Sequence, residues 1–281
     1  MALIHAITFI VSTYKFVDDK TFVHSFTDDC TPFLQRVLDT EAAETKANKM
    51  VLNESKCSAI TFNFSAKNSV PQNLLLNGNT LNSVSSINLL GVTISADLRW
   101  KENTALICKK VNKKFYILWD LGKGHRKTEL LLSTWKVLLR PITEYAAPLW
   151  HSGLSESDIT KLESLQKKAV GMILGTIYLD HKRYYRVNGN PVSYKSALTH
   201  LNLLTLTERR EALTTKFAIQ TFKNERHKDF FEIKSNIRHC SRLKPIIQEH
   251  TCNTERLKNS AIPFMTRILN KMKLEIPNDS S

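Results

Sequence analysis

The chain opens on a polarity pattern of period two. Ile7, Phe9 and Val11 share one phase, Tyr14 and Phe16 extend it less regularly, and residues 21–26 resume the strand signal after Asp18-Asp19. That pattern predicts a β-hairpin whose turn carries two adjacent carboxylates. Thr31-Pro32 has the chemistry of a helix cap followed by a first-turn proline. Phe33, Leu34, Val37, Leu38 and Ala42 then recur at helical spacing, which predicts an amphipathic helix over 32–48. Ile60, Phe62 and Phe64 fall on one face of a predicted strand. Leu74-Leu75-Leu76 before Asn77-Gly78 predicts a second hairpin. A further strand, 87–94, is interrupted by Gly91, the mark of a bulge or of a close backbone approach.

After Trp100 the period lengthens to that of helices. Leu106, Ile107, Val111, Phe115, Leu118 and Trp119 predict a helix ending at Gly122. A second is predicted over 130–142, with Pro148 blocking its continuation. A third, capped by Ser155 or Ser157, carries Ile159, Leu162, Leu165, Ala169 and Ile173 and stops at Gly175. The stretch with Tyr184, Tyr185, Gly189 and Pro191 is less regular. Helices are predicted over 206–222 and near 261–272, and the end of the chain is polar. The chain holds no internal repeat.

Charge divides along the same line. Residues 1–100 hold 8 Lys and Arg against 9 Asp and Glu; residues 101–281 hold 32 against 17. The formal net charge of +14 therefore resides in the helical part, and points to an anionic partner, nucleic acid first. Hydrophobic residues make up 42% of the 281, enough for one or two cores and too many for a disordered chain. No run approaches a membrane span, and residues 2–11 are apolar without the flanks of a signal peptide, so no membrane partner is expected. Five cysteines without regular spacing argue against a secreted disulfide scaffold and for a reducing, intracellular compartment, nuclear or cytoplasmic.

Asp18-Asp19 is the sharpest chemical feature. Adjacent carboxylates on a tight turn can hold hard divalent cations such as Mg²⁺ and so serve phosphoryl transfer; Asp also simply suits turns. His239-Cys240 and His250-Thr251-Cys252 do not fit a zinc spacing. Cys30, Cys57 and Cys108 are read as ordinary thiols. Trp100, Trp119, Trp135 and Trp150 fit either a core or a base-stacking surface. The basic stretch Lys109, Lys110, Lys113, Lys114, Lys123, Arg126, Lys127, Lys136 and Arg140 fits either a surface that tracks phosphates or a solvated helix face.

The order of these segments resembles the C-terminal part of the reverse transcriptase of non-LTR retrotransposons, of the jockey-like and CR1-like kind. Tyr14-Lys15-Phe16-Val17-Asp18-Asp19 is similar to the family's motif C hairpin. Asn48-Lys49-Met50-Val51-Leu52-Asn53-Glu54-Ser55-Lys56 is similar to its motif D stretch. Leu90-Gly91-Val92 with Leu98-Arg99-Trp100 is similar to its primer-grip strand. Arg140-Pro141-Ile142, Tyr145-Ala146-Ala147-Pro148, Trp150, the run 162–169 with Leu174-Gly175, and Leu206-Thr207-Glu208-Arg209-Arg210 resemble its thumb and the segment beyond.

The resemblance covers most of 14–225. It implies an α+β architecture: a partial palm over 1–99, a helical thumb over 100–175, and a C-terminal helical region with a frayed tail over 176–281. It implies that Asp18 and Asp19 bind Mg²⁺ in an RNA-directed DNA polymerase and that Lys56 donates a proton to the leaving pyrophosphate. It also implies that Gly91 lets backbone approach the primer, and that Lys109, Lys110, Lys113 and Lys114 contact an RNA template and DNA primer. The family also has an aspartate motif A upstream of motif C, and only 17 residues precede Asp18 here, none of them Asp or Glu. Glu44 stands where the family often has Trp. The expectation is a fragment with an incomplete active site; the alternative is a basic, non-catalytic relic that binds nucleic acid.

Overall fold

A computed structural model describes residues 11–17, 19–24, 31–63, 73–123, 128–232 and 247–272. The chain is α+β, with small sheets and a predominance of helix. Its Cα framework separates into two units, 1–87 with 95–98, and 88–94 with 99–281. The chain enters the second unit for good at Arg99.

In the first unit β1 (Val11–Phe16) and β2 (Asp19–His24) pair antiparallel with Phe16 opposite Asp19. Val17 begins the turn between them, and Asp18 lies outside the described residues. Helix α1 (Thr31–Ala47) follows. The strand expected around Ile60 and Phe62 is reduced to β3 (Ser58–Ala59); Phe64 lies outside the described residues. Strands β4 (Leu75–Leu76) and β5 (Asn79–Thr80) close around Asn77-Gly78, whose φ values of 52° and 85° make the left-handed pair that Asn-Gly favours. β6 (Asn82–Ser83) pairs parallel with β3. Gln35 fastens α1 to β4: the Leu75 N–H donates to Gln35 Oε1 at 2.8 Å and Gln35 Nε2 donates to the Leu75 carbonyl at 2.8 Å. Among the described residues of this unit Leu76 is the only buried hydrophobic side chain.

The strand expected over 87–94 is a hairpin, β7 (Ser86–Leu89) and β8 (Val92–Ser95). Leu90 and Gly91 form its turn, both left-handed at φ 48° and 83°. Gly91 is a turn residue and not a bulge, because two consecutive residues at positive φ reverse the chain.

The second unit is built on α2 (Lys101–Gly122). This helix begins before its apolar stripe, because the residues its first turns bury are polar: Asn103 and Thr104. Asn103 Oδ1 accepts the Thr93 N–H at 3.2 Å. The helix expected over 130–142 is three pieces: α3 (Thr128–Thr134), a π-helical turn over 135–139, and α4 (Arg140–Glu144). The Arg140 N–H reaches back to the Trp135 carbonyl, one residue beyond the α-helical partner, directly before Pro141. A π turn widens the helix where a proline ring and its missing N–H would otherwise break the ladder. Pro148 opens a short helix, α5 (Ala147–Trp150), after Ala146 turns left-handed at φ 51°.

Helix α6 (Glu156–Leu174) settles its cap on Ser155, whose Oγ accepts the Asp158 N–H at 3.2 Å. The region 176–281, expected to be helical, opens instead with an antiparallel sheet of β9 (Thr176–Leu179), β10 (Lys182–Val187) and β11 (Asn190–Val192). Asp180-His181 and Asn188-Gly189 make its two turns, all four residues at positive φ. Helices α7 (Tyr194–His200), α8 (Leu206–Lys223), α9 (Glu255–Lys258) and α10 (Ala261–Met272) complete the unit.

Its main core joins Ile107, Val111, Phe115 and Leu118 of α2 to Leu131, Trp135, Leu139, Trp150 and the α6 stripe Leu162, Leu165, Ala169 and Ile173. Trp135 stacks on Phe115 at 6.3 Å between ring centroids, and Trp100 packs against the same cluster. Three of the four tryptophans are therefore core, and only Trp119 stands out, 59% exposed. A smaller cluster gathers Ala218, Phe231, Ile247, Met265 and Leu269. Among the described residues no helix is long and apolar enough to cross a membrane.

Candidate nucleic-acid interface

The described side chains around the β1–β2 turn face solvent. Tyr14, Phe16 and Val17 are exposed, and Val17 takes φ 57°, a costly conformation for a β-branched residue. Asp19, opposite Phe16, is exposed beside this turn. A pair of adjacent carboxylates supplies the hard oxygen donors that suit Mg²⁺. Among the described residues no group of three His, Cys, Asp or Glu is placed to hold a metal ion, and Asp18 is not among them. Lys20, next along β2, is drawn to Glu41 of α1.

Lys56 closes a 3₁₀ turn, Glu54–Lys56, and its side chain is exposed. Glu54 anchors that turn by accepting Asn77 Nδ2 at 2.8 Å and Asn79 Nδ2 at 2.5 Å. The Asn77 bond, then the Asn79 bond, hold its carboxyl below the ordinary value. Lys56 thus rides on a loop fastened to the Asn77-Gly78 turn.

In the second unit Gly91 faces a side chain of its own protein. A Cβ there would stand 3.4 Å from Tyr145 Cε1, and the Gly91 N–H donates to Asn88 Oδ1 at 3.2 Å.

Helix α2 carries the densest charge. Lys109, Lys110, Lys113 and Lys114 are all exposed, and none of them has an ion-pair partner among the described residues. Lys109 with Lys113 and Lys110 with Lys114 are like charges one helical turn apart, an arrangement that destabilises a helix by a few tenths of a kcal/mol per pair. Exposed Tyr116 and Trp119 continue the helix, with Lys123 Nζ 3.5 Å from the centroid of Trp119. From α6, Lys168 reaches Asn112 Oδ1 at 3.3 Å.

Not every cation of the basic stretch is free for a ligand. Arg126 and Lys127 lie outside the described residues. Arg140 pairs with Glu144 at 3.1 Å, and Arg209 meets the same Oε1 at 3.1 Å. Burial, the largest influence, lowers the Arg140 pKa. That guanidinium is engaged inside the protein. The thiols of Cys57 and Cys108 are pushed up by burial, which is the opposite of activation.

Two features escape a reading by period and motif. One is the buried polar cluster around Arg210, whose Nε donates to His151 Nδ1 at 3.4 Å; nothing in the sequence marks an arginine as wholly buried. The other is the β9–β10–β11 sheet, for which Asn188-Gly189 is a direct hairpin signal. No family model, curated protein or solved structure matches this chain.

Proposed function

We propose that the chain is the palm-end and thumb part of a non-LTR retrotransposon reverse transcriptase, an RNA-directed DNA polymerase, and that it holds an RNA template with its DNA primer. The observation that carries this reading is the set of four uncompensated lysines on α2, directly after the motif-bearing hairpins. A helix whose lysines lack ion pairs among the described residues gains its counterions from outside, and a phosphate backbone supplies them in a regular row. Tyr116 and Trp119, exposed along the same helix, add faces on which bases can rest.

Within this reading Asp18 and Asp19 contribute two oxygen donors to Mg²⁺, which would activate the primer's attacking hydroxyl and stabilise the departing pyrophosphate. Lys56, cationic and exposed, would protonate that leaving group. The second reading is a nucleic-acid-binding chain without catalysis. It rests on the same exposed lysines of α2, which need no catalytic group to bind a phosphate backbone.

The test common to both is anisotropy titration of a labelled RNA–DNA hybrid at several salt concentrations. Neutralising about four to six phosphates gives a log–log slope of roughly −3 to −5. Replacing Lys109, Lys110, Lys113 and Lys114 with Gln flattens that slope and weakens binding to all sequences alike. Absence of binding at low salt, or an unchanged slope in the quadruple variant, overturns the proposal.

A further inference from the structure

The β9–β10 hairpin presents an aromatic and a cation that the helices do not account for. Tyr178 is 63% exposed and stands directly opposite Arg183 across the two strands. Arg183 Nη2 donates to the Tyr178 phenol oxygen at 2.9 Å and Nε donates to it at 3.2 Å. These bonds, before any other influence, raise the Arg183 pKa. They hold the ring by its hydroxyl end and leave the remaining guanidinium N–H groups free of internal carboxylates among the described residues.

The platform is anchored. Tyr185, on the same face of β10 two residues on, is buried, and its hydroxyl reaches the Lys167 carbonyl of α6 at 3.4 Å. The Arg186 N–H donates to the Gly175 carbonyl at 3.2 Å, fixing β10 to the end of α6. Two residues nearer the tip, the face that carries Tyr185 inward carries Tyr178 and Arg183 into solvent. Lys182 and Arg186 are exposed on the same strand, and Asp180 is the only acid between 176 and 192. A rigid exposed ring beside an unneutralised guanidinium matches a nucleotide whose base is unpaired: the ring stacks the base while the cation meets the phosphate. A duplex offers no such base face along its side.

We infer that the β9–β10 hairpin is a contact for single-stranded nucleic acid, with Tyr178 stacking a base and Arg183 binding the adjoining phosphate. The inference rests on the reading of the chain as a nucleic-acid-binding protein. It adds a site that discriminates single strand from hybrid, apart from the α2 lysines.

The experiment compares a labelled single-stranded RNA with an RNA–DNA hybrid of equal length, both titrated against the full chain. Tyr178→Val, which preserves strand propensity, lowers affinity for the single strand about tenfold, the order of one lost stack, and leaves hybrid affinity unchanged. Arg183→Gln reduces the single-strand salt slope by about one. Tyr178→Trp retains affinity, and its added indole fluorescence is quenched by the single strand. The same single-strand affinity in Tyr178→Val as in the unmodified chain, an equal loss for both probes, or an unquenched Tyr178→Trp overturns the inference. Failure of the unmodified chain to bind either probe overturns the underlying reading, and the inference with it; binding that is indifferent to residue 178 overturns the inference alone.

Discussion

The Tyr145 phenol donates a 2.7 Å hydrogen bond to the carbonyl of Leu90. That residue is forced left-handed at φ 48° in the β7–β8 turn, and its neighbour Gly91 at φ 83° lies against the same ring. The turn and the start of the α4–α5 connection therefore hold each other. Tyr145→Phe removes the bond and should cost about 0.5–1 kcal/mol at this exposed site. Gly91→Ala adds a methyl group at a positive φ and should cost about 1–2 kcal/mol. Urea unfolding of both variants checks this. A Gly91→Ala protein as stable as the parent would show that the turn relaxes freely.

Arg210 and His151 form a buried pair that responds to acid. Arg210 is fully buried, lies 5.6 Å from the centroid of Trp150, and has its pKa lowered to about 10 by burial. Burial first, then the Arg210 charge, lower His151 from 6.5 to about 4. Neutral Nδ1 accepts the Arg210 Nε–H; a protonated imidazole would set two cations together. The folded-state pKa lies below the unfolded one, so this stability is complete above pH 6.5 and is lost as pH falls from there through about 4. The loss amounts to roughly 3 kcal/mol at most. Unfolding midpoints at pH 7.5 and 4.5 should differ less in His151→Gln than in the parent; equal pH dependence would exclude His151 as the responsible group.

Glu163 carries a junction among α6, α7 and α8. It accepts the Tyr194 phenol, and its Oε2 accepts the Leu206 N–H at 2.9 Å, placing an anion at the N-terminus of α8. Gln166 Nε2 donates to the Leu204 carbonyl at 2.9 Å. Burial, followed by Glu163, pushes the Tyr194 phenol up, in keeping with its role as the donor. Glu163→Ala leaves buried donors unmet and should cost about 2–3 kcal/mol, Tyr194→Phe about 1. Thermal unfolding ranks the two; the reverse order would move the weight of the junction to the tyrosine.

These residues show what the sequence could convey. The amphipathic stripes of α2 and α6 were legible because one face of each meets a core; Ser155 and Gly175 marked the ends of α6, and Asn77-Gly78 the β4–β5 turn, by backbone chemistry. The π turn before Pro141 was not legible, since it answers a tertiary fit around Trp135. Several residues that carry the family resemblance have packing work: Leu162, Leu165 and Ala169 are core, and Gln166 and Glu163 bind the start of α8. Trp100 lies so near Gly153 that a Cβ there would come within 2.6 Å of the indole Nε1. The lysines of α2 read as a basic face, but only the fold reveals that none has an ion pair among the described residues. Arg140, read as part of the same basic stretch, is engaged by Glu144.

The two units should differ in resistance to proteolysis. Both hydrophobic clusters belong to the second, whereas the first buries Leu76 alone among its described hydrophobic residues. Little apolar burial means low local unfolding free energy. Limited trypsin digestion should cut within 1–87 first and leave a fragment spanning 101–222. Early loss of the helical part with 1–87 intact would contradict the assignment of stability to the main core.

Catalysis separates the two functional readings. Two-metal phosphoryl transfer uses carboxylates that bridge both ions, and in the proposed reading Asp18 and Asp19 would supply one side of such a site. No acid precedes Asp18 in these residues, and Asp39, downstream, lies on α1. Without a bridging carboxylate the attacking hydroxyl is neither deprotonated nor held in line, and loss of that alignment alone removes orders of magnitude in rate. For a polypeptide of these 281 residues by itself the expected outcome is binding without extension: it retains a primer–template hybrid yet adds no nucleotide with Mg²⁺ or Mn²⁺. Adding an upstream polypeptide that carries an aspartate-bearing palm strand should restore extension, and Asp18→Asn should abolish it again. Extension by the unsupplemented chain, lost in Asp18→Asn, would make these 281 residues a self-sufficient polymerase and overturn the need for a further carboxylate.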